Sequence, residues 1–198
     1  LRSAGSSMKK VFSILDEEPV LSNTGTITPD MQNNNAIKFD KVNFSYGRER
    51  VLHDVSFSIN KGEKIAIVGE TGAGKSTIAK LILRFYLPNE GDVNFYGESS
   101  RQVSQKWARK NIAYVPQESF LFRGSIKNNL IYSNPEGINL EQELQEIGVL
   151  DWFERYENGL DQEVGERGAN VSAGERQFIA LLRAVLAKRE IIVFDEAT

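Results

Sequence analysis

One stretch, Ile65 to Thr77 (IAIVGETGAGKST), constrains this chain more than any other. Four apolar residues run into Gly69, four residues separate it from Gly74, and Lys75 and Ser76 follow at once. The spacing G-x-x-x-x-G-K-[ST] predicts a buried strand, a tight loop and a helix starting near Lys75. Glycines let the loop curl until its N–H groups point inward, and the helix adds the positive end of its dipole. A concavity of that kind holds phosphate oxygens. Its lining here would be Gly69, Glu70, Thr71, Gly72, Ala73, Gly74, Lys75, Ser76 and Thr77. Lys75 would reach the outer phosphates of a nucleotide, and the Ser76 hydroxyl would ligate Mg2+. The end of the chain supplies the complement. Ile191 to Phe194 predict a short buried strand that delivers Asp195 and Glu196. A carboxylate at a strand end opposite the loop is what a nucleotide-bound Mg2+ requires, which selects Asp195. Glu196, one residue on, can orient and deprotonate water.

The rest of the chain reads as α/β. Leu1 to Pro19 carries Met8, Val11, Phe12 and Leu15 at helical spacing, and it starts as if in mid-element. Ser22 to Asn35 is polar and turn-rich, as a linker or surface loop would be. Ile37, Phe39, Val42 and Phe44, then Val51, Val55, Phe57 and Ile59 after a turn at Tyr46-Gly47, predict a hairpin-like sheet. Asn139 to Tyr156 and Gly174 to Leu186 predict helices, and no internal repeat is present.

Two further stretches, YVPQESFLF and VGERGANVSAGERQ, lie between the phosphate loop and the terminal strand. With GETGAGKST and IIVFDEAT they resemble, in order and spacing, the nucleotide-binding domain of an exporter-type ATP-binding cassette (ABC) transporter. The resemblance runs from about Ala4 to the last residue. It implies a P-loop NTPase fold with a mixed RecA-like core, an antiparallel β subdomain and an α-helical signature subdomain. The implied boundaries are 1–21 for the end of a last transmembrane helix and linker, 22–35 for a polar linker, and 36–198 for the nucleotide-binding domain. Its helical subdomain would occupy about 120–180.

Position by position, the resemblance gives Gln117 a place on Mg2+ and the attacking water. Tyr46 becomes the aromatic that stacks on adenine. Ser172 and Gly174 become the signature residues that cap the γ-phosphate of ATP held by an opposite protomer. The signature departs from its commonest form at Val171, Ala173 and Glu175, while the hydroxyl of Ser172 and the close backbone approach at Gly174 are kept. Glu163 to Gly168 resembles the exporter loop that touches coupling helices of the transmembrane domain. The implied cofactors are ATP and Mg2+. The implied partners are a second nucleotide-binding domain, identical or not, and those coupling helices. The domain would sit on the cytosolic or organelle-matrix side of a membrane as part of a multi-pass transporter, and be soluble in isolation.

The resemblance also implies a histidine that contacts the γ-phosphate, and further strands, after Asp195 and Glu196. The only histidine, His53, precedes the loop and reads as a strand or turn residue. The expectation is therefore a chain that stops short within its domain, with the C-terminal part of the fold missing, and that binds ATP with little hydrolysis. Alone, Tyr46 would read as a packed strand aromatic, Gln117 as a surface amide and the charges near Arg167 as a solvated face.

Composition excludes other classes. The net charge of -3 argues against a nucleic-acid surface, and no sustained heptad run separates Lys75 from Asp195 as in DNA-maintenance ATPases with the same signature. The absence of cysteine excludes disulfides and thiolate metal sites. No apolar run reaches the roughly 18 residues that span a bilayer.

Overall fold

Apolar residues in the first predicted strand alternate as far as Phe39, then skip two positions to Val42 before alternating again to Phe44. A computed structural model, describing residues 25–133 and 138–195, gives the reason. Strand β1 (Asn35–Tyr46) pairs antiparallel with β2 (Glu49–Asn60), and the register shifts between Phe39 and Val42. Lys41 occupies that bulge at φ 48°, so one extra residue resets the two-residue period. Ile37, Phe39, Val42 and Phe44 are all buried as a result. Phe39 faces Phe57 across the pair, with rings stacked at 4.5 Å. A two-residue connection joins the strands, and Gly47 takes its left-handed position at φ 60°, which costs glycine no Cβ clash.

These strands belong to the first of two units, Leu1–Ala66 with Arg84–Gln105. Strands β3 (Glu90–Phe95) and β4 (Glu98–Ser99) complete its sheet in the order β2-β1-β3-β4, antiparallel throughout. Val93 and Phe95 bury the inner face of β3. Part of the polar stretch expected as a linker is fastened here. Ile27 bridges Val103, its N–H donating to the Gln102 carbonyl and its carbonyl accepting from Ser104, both at 2.9 Å. Backbone pairing of that kind leaves no trace in composition. The expected helix from Leu1 to Pro19 lies outside the described residues.

The second unit, Ile67–Leu83 with Lys106–Thr198, holds the parallel element. Strand β5 (Ile112–Val115) pairs with β8 (Ile191–Phe194) in the register Ile112↔Ile191 to Val115↔Phe194. Helix α1 (Lys75–Ile82) follows the glycine loop, and α2 (Gln105–Asn111) leads into β5. A short antiparallel pair, β6 (Gly124–Ser125) with β7 (Glu163–Val164), sits beside a helical cluster. That cluster packs Leu121, Ile126, Leu130, Leu144, Phe153, Ile179 and Leu186 around α3 (Ile126–Ile131), α4 (Leu140–Ile147) and α5 (Ala173–Leu186). The helix predicted from Asn139 to Tyr156 is two pieces. Gly148, left-handed at φ 79°, ends α4, and a 3₁₀ turn runs from Leu150 to Arg155. Among the described residues no helix is long and apolar enough to cross a membrane.

The strand predicted over Ile65 to Val68 is not formed. Residues 63–70 carry no regular structure, and Val68 is 87% exposed. A strand exists only where a neighbour satisfies its N–H and C=O groups, and among the described residues no strand pairs with this run.

The bulge makes a stability prediction. A Cβ on Gly91, itself at φ 71°, would lie 2.2 Å from the Lys41 carbonyl oxygen. Gly62, at φ 77°, has open space around it. Gly91→Ala is expected to cost about 2–3 kcal/mol in chemical denaturation, and Gly62→Ala about 1 kcal/mol for the left-handed backbone alone. Equal losses would show that the bulge does not need the glycine.

Candidate functional site

The glycine loop is built by its backbone. Gly72 and Gly74 are left-handed, at φ 86° and 88°, and Ala73 N–H closes a turn on the Glu70 carbonyl at 3.1 Å. Gly74 is the N-cap of α1, and no acidic residue stands in that helix's first turn. Its N-terminal N–H groups and dipole are thus left for an outside anion rather than for a side-chain carboxylate. Lys75 folds back over the loop and donates to the carbonyls of Gly69 and Glu70, each at 2.8 Å. Both partners are neutral carbonyl oxygens, weaker acceptors for a lysine side chain than anionic phosphate oxygens would be.

Ser76 and Asp195, far apart in the chain, meet here. The Ser76 hydroxyl donates to Asp195 Oδ1 at 3.0 Å. The β5–β8 ladder makes this meeting possible, because Asp195 N–H extends it by one bond to the Val115 carbonyl at 3.0 Å. A hydroxyl and a carboxylate converging beside a phosphate-type loop are hard oxygen donors, and they fit Mg2+. Tyr114 of β5 also reaches Asp195, its phenol donating to Oδ2 at 3.2 Å.

The remaining candidates lie as follows. Gln117 is exposed two residues beyond β5. Glu196 lies outside the described residues. Tyr46 ends β1 in the first unit, its ring edge-on to Phe44 at 4.8 Å and to Tyr86 at 5.3 Å. Ser172 caps α5, where Ala173 and Gly174 are exposed and, the surrounding helix backbone and chain neighbours aside, no atom lies within 4 Å of a Cβ built on Gly174. Val171, one of the signature departures, is buried in the helical cluster. Glu175, another, closes a capping box. Its Oε2 accepts the Ser172 N–H at 2.7 Å while Ser172 Oγ accepts the Glu175 N–H at 3.2 Å. The Ser172 N–H, then the Ser172 side chain, hold the Glu175 carboxyl below the usual carboxylate range. Burial, then the adjacent Glu175, push the Tyr156 phenol up to about 12.

Sequence reasoning missed Arg183 and Asn129. Arg183 donates to the carbonyls of Asn129 (2.8 Å) and Phe120 (3.1 Å) and to Asn129 Oδ1 (2.8 Å). The buried Asn129 amide in turn donates to the carbonyls of Phe122 and Ser125. Together they tie the segment after Gln117 to the helix that Ser172 caps. An arginine inside the apolar run IALLRAVL was the signal, since buried charge demands partners.

The glycine loop, the Ser76–Asp195 pair and the parallel ladder define a P-loop NTPase fold. The family described as ABC transporter matches residues 52–198. The ATM1-type heavy metal exporter of Novosphingobium aromaticivorans is 37% identical over 96% of this chain and 32% of its own length. The human mitochondrial iron-sulfur clusters transporter ABCB7 is 37% identical over all of this chain and 27% of its own length. A solved bacterial Atm1-family ABC exporter with ATP bound superimposes with a TM-score of 0.87 at 35% identity, over all of this chain and 35% of that one. This chain belongs to the ABC transporter family and carries its exporter-type ATP-binding domain fold. It spans about a third of the length of these relatives.

Glu175 yields a pH-dependent prediction. Its carboxyl is depressed in the fold, so its stabilisation is complete above the unfolded carboxylate value and is lost as pH falls through the folded one. Glu175→Ala is expected to cost about 1 kcal/mol at pH 7. That difference from the unsubstituted chain should shrink steadily as denaturation is repeated toward pH 3. A pH-independent difference would remove the capping box from the account.

Proposed function

We propose that this chain binds and hydrolyses ATP to drive export across a membrane. The observation that carries the reading is the Ser76–Asp195 hydrogen bond at 3.0 Å beside a loop whose lysine is held by its own carbonyls. Gly69 to Thr77 bind the phosphates through backbone N–H groups and the α1 dipole, and Lys75 neutralises the outer phosphates. Ser76, Asp195 and Gln117 hold Mg2+. Held there, Mg2+ would supply Lewis-acid stabilisation of the charge on the phosphate oxygens. Glu196 takes the proton of the attacking water. Tyr46 stacks on the adenine.

Ser172 and Gly174 face ATP held by a second nucleotide-binding domain in a head-to-tail dimer. The capping box supports this role, because it fixes the N-terminus of α5 while leaving Ser172 to Gly174 exposed. Closing and opening of the dimer would pass to a transmembrane domain through coupling helices, with the domain on the cytosolic or matrix side. A relative and a solved structure named as exporters support the export reading.

Two variants test the reading together. Lys75→Ala should weaken binding of a fluorescent ATP analogue by about 1.5–3 kcal/mol. In a complete nucleotide-binding domain, Glu196→Gln should leave that affinity intact while slowing phosphate release by about 10²–10⁴. A Lys75→Ala chain that binds ATP as well as the unsubstituted one would end the assignment of this loop.

A further inference from the structure

Both oxygens of the Asp195 carboxylate are engaged. Oδ1 accepts from Ser76 at 3.0 Å and Oδ2 accepts from the Tyr114 phenol at 3.2 Å. Ser76 belongs to the glycine-loop motif, whereas Tyr114 opens the stretch YVPQESFLF, in which only Gln117 received a role from the sequence. Its placement follows from the ladder. Tyr114 is in register with Val193, and side chains recur on one face of a strand every second residue, so Asp195 shares the face of Val193. The Asp195 N–H to Val115 carbonyl bond fixes the backbone at that step. The long phenol then spans from one strand to the residue two beyond its partner.

We propose that Tyr114 is a positioning residue for the Mg2+ site, holding Oδ2 of Asp195 so that Oδ1 stays turned toward Ser76. The inference rests on the nucleotide-binding reading and adds to it a residue that touches neither metal nor nucleotide. A carboxylate at a strand end can rotate about two side-chain bonds. One hydrogen bond to Ser76 leaves the second oxygen free to sweep, and a donor on each oxygen leaves one orientation. Tyr114 is suited to the task because a phenolic hydroxyl is a hydrogen-bond donor long enough to cross from β5 to the end of β8. Its 37% exposure lets water compete for the hydroxyl, so the effect belongs at the low end of what an outer-sphere partner supplies. A tyrosine that only packs on the β5–β8 surface would act through its ring, which phenylalanine keeps.

The test titrates mant-ATP into the whole chain in Mg2+ and, separately, in EDTA, for the unsubstituted protein, Tyr114→Phe and Asp195→Asn. The expected result is a loss of about tenfold in affinity for Tyr114→Phe in Mg2+, with the EDTA arm unchanged within about twofold. Unchanged affinity in both arms would overturn the proposal, and so would an equal loss in both arms, which would mark a packing role. Asp195→Asn separates the two layers of the argument. If it loses affinity in Mg2+ while Tyr114→Phe does not, only the role of Tyr114 falls. If neither variant nor the metal itself alters affinity, the Mg2+ site at Ser76 and Asp195 falls and takes the proposal with it, whereas no mant-ATP binding in either arm would end the nucleotide reading itself.

Discussion

The site depends on the four-residue parallel ladder between β5 and β8. Both strands are short, four residues each. Their pairing nevertheless fixes where β8 stops, and the bond from Asp195 N–H to Val115 carries the ladder one residue further. That single extension converts an acid at a chain position into a carboxylate at a defined point in space. Ser76 meets it because α1 begins at Gly74, whose left-handed backbone turns the chain from loop to helix. A substitution that let β8 slip by one residue would put Asp195 on the opposite face and dissolve the pair.

Much of this was legible in the residues. The glycine-loop spacing located Lys75 and Ser76, and an apolar run ending in two acids located Asp195, because each pattern states a chemical requirement in one local stretch. What escaped was non-local or relational. Tyr114 looks like any strand aromatic until the register with β8 is known. Arg183 and Asn129 acquire meaning only when α5 is seen to hold the carbonyls of Phe120 and Asn129. Ile27 reads as part of a polar connection, yet its backbone joins Val103. The strand predicted at Ile65 to Val68 fails for the same physical reason in reverse: apolar content favours a strand, but a ladder needs a partner. The bulge at Lys41 is an intermediate case. The three-residue step from Phe39 to Val42 breaks the alternation visibly, while the need for Gly91 opposite it emerges only from the carbonyl positions.

The signature departures illustrate how a helix N-terminus can be kept in order by different side chains. Val171 sits in the apolar cluster, where shape matters more than identity. Glu175 satisfies the N-cap backbone reciprocally with Ser172, so the residue that departs from the common form also holds the serine in place. Arg176 adds bonds to the carbonyls of Gly168 and Val171, steadying the turn that precedes the cap. Rigid backbone on one side and exposed Ser172 to Gly174 on the other is the arrangement a docking phosphate would need.

If the glycine loop and the end of β8 form one nucleotide–metal site, Mg-ATP must act on both together. Amide hydrogen exchange of the whole chain with and without Mg-ATP addresses it most directly, since exchange reports local opening peptide by peptide. Slowed exchange is expected in two separate stretches, Gly69 to Thr77 and Ile191 to Asp195, with the second effect reduced when EDTA replaces Mg2+. Unchanged exchange in both stretches at saturating Mg-ATP, or protection confined to the sheet of the first unit, would contradict it.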